Sequence, residues 1–269
     1  MHVQPEQAKV DMWIKSIDVA LEENRLVSSA AAKLAGRLLF ARSAWFGRVG
    51  SAQLRRIFNR AHGNGSSTLS ASLRRVLLWW KAMLSNHAFH LQVKLTYDER
   101  RPILMYTDAT GNGRMGYACY GSNGILMCWS MLRAPPLVGA ILRRRKTQVT
   151  AWETIAPLWA LFQEAHRVRQ QHIWLFVDNV GAQFVLQKGA SKVCDINAVC
   201  AAFWLLVARL DCKVDVIRLK SIENPAGAPS RGLPPHGVYV SGRRVEPVVP
   251  RDSTLSGADL RALMPTELL

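Results

Sequence analysis

The chain predicts an α/β domain built on a mixed five-stranded sheet flanked by helices, with a basic helical segment ahead of it. Three observations carry that prediction. The hydrophobic period shifts from helical to alternating at residue 101; three short strand-like runs there are joined by glycine-rich turns; and helical and strand-like runs then alternate as far as residue 220.

Before residue 101 the pattern is helical. "SSAAAKLAGRLLFARSAWFGRVG" sets Leu34, Leu38, Leu39, Ala41, Trp45 and Phe46 on one apolar face, and "LSASLRRVLLWWKAML" repeats the pattern after the break "GNGSS" at 63–67. From 101 onward, "ILMYTDA", "RMGYACY" and "ILMCWSM" read as an antiparallel meander, since "TGNG" and "GSNG" supply the positive-φ residues of tight hairpins. "TQVTAWETIAPLWALFQEA" (147–165) reads as a helix kinked at Pro157, "HIWLFVDN" (172–179) as a buried strand, "AVCAAFWLLVARL" (198–210) as a helix and "KVDVIRLK" (213–220) as the last strand. Seven of the twelve prolines fall between Pro225 and Pro265, which gives the division 1–100 basic and helical, 101–232 α/β, and 233–269 a poorly packed tail.

Composition narrows the function. With 35 Lys and Arg against 19 Asp and Glu, the net charge is +16, and no acid occurs from Asn24 through Tyr97. Such an excess calls for a polyanion, with Arg55, Arg56, Arg74 and Arg75 as phosphate contacts in the helical segment, and Arg143, Arg144, Arg145 and Lys146 as a phosphate-gripping loop or a solvated, import-like patch. No apolar run approaches the roughly 18 residues of a membrane span, and the N-terminus lacks a secretory pattern. The expectation is a soluble intracellular protein, nuclear or cytoplasmic, with no membrane partner. The cysteines at 119, 128, 194, 200 and 212 have no CxxC spacing and read as buried free thiols.

The acids fall in a telling order. Helical crossovers make the first and fourth strands parallel neighbours, so Asp108 and Asp178 project from one sheet edge. Glu153 shares a helix face with Val149, Ala156 and Ala160 and looks inward. Three converging carboxylates need a cation, and hard oxygen ligands suit Mg²⁺ or Mn²⁺, with two ions about 3.5–4 Å apart serving phosphoryl-transfer hydrolysis. Other readings remain: Thr150-Ala-Trp-Glu153 fits a capping box, and Asp178-Asn179 fits a turn or N-cap.

These motifs resemble a type 1 ribonuclease H domain of a retrotransposon reverse transcriptase, of the kind found in tyrosine-recombinase elements. "YTDAT" with "GYACY" resembles its first strand pair, "TAWETIAPLWAL" its glutamate helix, "LFVDNVGAQFVLQKGAS" its second aspartate and the helix after it, and "SIENPAGAPSRG" its closing motif. "KLAGRLLFARSAWFGRVG" and "LRRVLLWWKAML" resemble the preceding thumb and connection, so the likeness covers roughly 30–232.

The resemblance implies Asp108, Glu153 and Asp178 as catalytic metal ligands and an RNA/DNA hybrid as substrate. It also implies a polymerase domain in cis or trans, the chain reading as the C-terminal part or a truncated copy of a polymerase. The closing motif departs from the family at Gly227, where a fourth carboxylate is expected, and Glu223 would have to reach in as its substitute. That departure favours the alternative of a catalytically degenerate nucleic-acid-binding module. Transposases order their acids differently, and proofreading exonucleases carry a Glu at the place of Thr110.

Overall fold

In the computed structural model, which describes residues 6–43, 47–63, 65–85, 101–235 and 243–244, the chain divides into two units, Met1–Tyr97 and Asp98–Leu269. Four helices build the first: α1 (Gln7–Glu22), α2 (Ser28–Ser43), α3 (Ser51–His62) and α4 (Ala71–Ser85). Each buries one stripe. Helix α1 buries Val10, Trp13, Ile17 and Ala20, and α4 buries Leu73, Val76, Leu77, Trp80, Met83 and Leu84, the spacing of three and four that a 3.6-residue turn demands. In α2 the buried stripe is Ala31, Leu34, Ala35, Leu38 and Ala41. Leu39, expected on that face, is exposed because it lies one residue round the helix from Leu38. Trp45 and Phe46 lie outside the described residues, as do residues 86–100.

Several basic residues of this unit serve the fold itself. Arg74 donates to the Leu21 carbonyl at 3.2 Å and to Asn24 Oδ1 at 2.8 Å, which satisfies the C-terminal end of α1. Lys81 pairs with Asp18 at 2.6 Å, tying α4 to α1.

The second unit holds the sheet. Its strands are β1 (Ile103–Ala109), β2 (Arg114–Tyr120), β3 (Leu126–Arg133), β4 (His172–Val177) and β5 (Lys213–Arg218). Their order, β3-β2-β1-β4-β5, with β1 antiparallel to β2 and parallel to β4, is that of ribonuclease H-like folds. The two hairpin turns place Gly113 at φ 80° and Gly124 at φ 77°, as the turn sequences require. A two-residue segment, β6 (Arg243–Arg244), pairs parallel with β3 from within the region read as a tail.

Between β3 and β4 run α5 (Pro136–Ile141), α6 (Val149–Gln163) and α7 (Ala165–Val168); α8 (Val180–Lys188), α9 (Cys194–Arg209) and the short α10 (Gly227–Ser230) complete the unit. Helix α6 covers the sheet face that carries Tyr117. There the ring of Trp159 packs edge-on against Tyr117, and the Tyr117 hydroxyl donates to the fully buried Glu164. Arg167 pairs with the same carboxylate, so this buried acid is both hydrogen-bonded and neutralised. Pro157 lies inside α6 and removes the N–H that would meet the Glu153 carbonyl. All five cysteines are free thiols.

Helix α10 lies over Gly116, whose neighbour Tyr117 faces the opposite side of the sheet. A Cβ on Gly116 would stand 2.3 Å from the Ser230 nitrogen and 2.6 Å from the Pro229 carbonyl carbon, so only glycine lets α10 seat. Gly116→Ala is therefore expected to lower stability by about 1–3 kcal/mol in urea unfolding, whereas Ser230→Ala, which removes a hydroxyl without a clash, costs less.

Candidate metal centre

Strand register brings the acids together. Asp108 is the next-to-last residue of β1, opposite Gly116, and Asp178 follows the last residue of the parallel neighbour β4. Glu153 stands in the second turn of α6, where only 3% of its surface is exposed. One ligand oxygen from each of the three lies within 4.8 Å of the others.

The competing local readings are resolved by the helix ends. Helix α6 starts at Val149 with Gln148 as N-cap, so Thr150 is already inside the helix and its hydroxyl is not the cap of a capping box. Helix α8 is capped by Asn179, whose side chain accepts from the Ala182 N–H at 3.0 Å, so Asp178 is not the cap.

Asp108 is held from behind. Ser230 donates its hydroxyl to Asp108 Oδ2 and is itself buried. Asn224, the first residue of the closing motif's Asn-Pro-Ala, donates to the Thr107 carbonyl at 2.9 Å and accepts from the Ala226 N–H at 3.1 Å, which locks the approach to α10 onto β1. The sequence contained Ser230 and Asn224 within "SIENPAGAPSRG", but nothing local assigned them these partners.

Electrostatics follow from burial. The Glu153 carboxyl is pushed up to about 9, first by desolvation and then by the charges of Asp108 and Asp178. Asp108 is also raised, by desolvation above all, with the Ser230 hydroxyl and Arg231 pulling against it. Glu153 Oε2 is buried without a hydrogen-bond partner among the described residues. An unmet acceptor beside two further carboxylates fits a cation, and an all-oxygen donor set fits a hard divalent one.

The expected fourth position lies at the start of α10. Gly227 is buried, since α10 begins there against the sheet. A Cβ at 227 would meet Arg231 Nη1 at 3.4 Å, and that guanidinium donates to the Gly227 carbonyl at 3.1 Å. Glu223 does not take the missing place: it is exposed, 4.0 Å from Lys220, and outside the acid cluster.

The basic positions part company. Arg145 is paired with Asp195, which also accepts from the Arg143 N–H at 2.9 Å, so this loop is anchored to the start of α9. Arg143, Arg144 and Lys146 keep exposed side chains, as does Arg75, and Arg55 and Arg56 are half-buried on α3.

No protein-family model matches this chain, and no curated protein matches it. Among the described residues, no helix is long and apolar enough to cross a membrane.

A pH dependence follows. Because Glu153 holds its proton more tightly folded than unfolded, its stabilising contribution is complete below about 4.5 and is lost as pH rises through about 9. In metal-free buffer, the native chain should lose more thermal stability across that window than Glu153→Gln, which has no proton to release. Added Mg²⁺ should restore part of the loss, since it binds the ionised carboxylates.

Proposed function

We infer that the chain is a metal-dependent endonuclease of the ribonuclease H type, hydrolysing the RNA strand of RNA/DNA hybrids. One observation carries the reading: Asp108, Glu153 and Asp178 converge at the ends of adjacent parallel strands in a sheet ordered β3-β2-β1-β4-β5.

Each side chain has work to do. Asp108, fixed by Ser230, offers its second oxygen to the cluster. Glu153 supplies a buried carboxylate that must give up its proton when a cation enters. Asp178, half-exposed, is the member of the three most open to an approaching phosphodiester. Bound Mg²⁺ or Mn²⁺ would supply Lewis-acid activation of water and stabilisation of the leaving oxygen. Exposed Arg144 and Lys146 give the same unit positive charge for the hybrid's backbone.

A second reading, a nucleic-acid-binding module without turnover, is favoured by Gly227 and the outward Glu223. Cleavage of a labelled hybrid in Mg²⁺ and in Mn²⁺ separates the two. The enzyme reading expects metal-dependent cleavage that Asp108→Asn abolishes, and hybrid binding without cleavage in either metal overturns it.

Gly227→Asp should lower the metal concentration needed for half-maximal cleavage. The gain should grow when combined with Arg231→Gln, because the new carboxylate otherwise pairs with the guanidinium beside it. A metal titration of hybrid cleavage by the single and double variants checks this. Equal turnover in the native chain and Gly227→Asp would mean that glycine does not limit the site.

A further inference from the structure

The four-helix unit contains a cavity of about 590 Å³ beside α3 and the first turn of α4, lined by Arg56, Arg60, Ser66, Thr68, Ser70 and Ser72 among others, with no acid in its lining. Its walls are pinned. Arg60 Nη2 donates to the Thr68 carbonyl at 2.8 Å, Leu69 N–H to the Asn24 carbonyl at 3.0 Å, and Leu26 N–H to the Ser67 carbonyl at 2.8 Å.

Two guanidinium groups line it with no acid beside them. Arg60 Nη1 is shut off from solvent with no acceptor among the described residues, and Arg56 makes no hydrogen bond or ion pair among them. Arg56 is half-buried in the lining, so its guanidinium is the one placed to meet an acceptor, while Arg60, held at Thr68, adds its charge behind it.

We propose that this cavity binds a phosphate ester. Two guanidinium groups and a rim of hydroxyls match the several oxygens of a phosphate better than the two of a carboxylate. The start of α4 adds a favourable dipole, while the last turn of α3 opposes it. Each is worth about half a charge, so they roughly cancel against the two full charges of the arginines. The volume exceeds that of a bare phosphate and falls in the range that holds a small-molecule ligand, about 300–1,000 Å³, which favours a phosphate attached to a sugar. Two sources carry that group: the phosphodiester of a nucleic-acid strand and a free nucleoside monophosphate. The inference does not rest on cleavage at the acid cluster.

The test uses the full chain in EDTA, so that metal binding plays no part. A short DNA oligonucleotide with hydroxyl ends and a nucleoside 5′-monophosphate are titrated separately. Arg56→Gln removes one charge, and Ser72→Glu places a negative charge in the cavity at a helix start that favours acids, so the fold should tolerate it. Each variant should weaken binding about tenfold or more, and Arg56→Gln should reduce the salt slope of oligonucleotide binding by about one.

If only oligonucleotide affinity falls, the occupant is a strand; if only monophosphate affinity falls, it is a free nucleotide. A native chain that binds neither probe, or a variant of either kind that binds both within about twofold of native, overturns the proposal. A native chain that binds both probes in EDTA yet cleaves no hybrid in Mg²⁺ or Mn²⁺ would count against the acid cluster alone.

Discussion

The arrangement of the α/β unit turns on one carboxylate, that of Glu153, which is 3% exposed and has an oxygen without a protein donor. Burying an ionised acid is costly, and two aspartates nearby make it costlier. Helix α6 nonetheless holds Glu153 inward, through Ala156 and Ala160 packed with no exposure on the same face. Asp108 is fixed by Ser230, Ser230 by the seating of α10, and α10 by the absence of a side chain at Gly116. The sheet edge is thus organised around a buried carboxyl that keeps its proton, its pKa pushed up to about 9, unless a cation replaces it.

The strands were legible because alternation and turn glycines are local signals. The meander falls at Ile103–Ala109, Arg114–Tyr120 and Leu126–Arg133, and all three acids lie where the order of elements placed them. Long-range partners were not legible. Helix α9 begins at Cys194, earlier than its apolar run implied, and Asp195 in its first turn engages the loop of Arg143 and Arg145. The short α5 gave no periodic signal over its six residues. Gly227 stands at a helix start, α10, and its burial was not legible because it comes from the hydrogen bonds of Asn224, which bring Pro225 and Ala226 onto β1.

The basic segment teaches a related lesson about charge. Arginines counted in a sequence as ligands are in part the protein's own scaffolding: Arg37 donates to Ser16, Arg42 to Ser51, Arg60 to Thr68 and Arg74 to Asn24. Guanidinium groups cap helix ends and loops as readily as they grip phosphates, because both present oxygen acceptors. Net charge therefore identifies the kind of partner, while only geometry identifies which residues are left to meet it.

The parallel pairing of β1 with β4 has a consequence for how the chain comes together. The β1-β2-β3 meander is local and needs only tight turns, the kind of structure that forms within microseconds. Joining β4 to β1 closes a much longer loop, a slow step in topologies rich in distant contacts. Asp108 therefore comes from a locally paired hairpin, and Asp178 from a strand that the chain reaches only after α5, α6 and α7. The three acids meet only where the distant pairing of β4 with β1 is made, so the cluster belongs to the docked sheet and not to the hairpins alone.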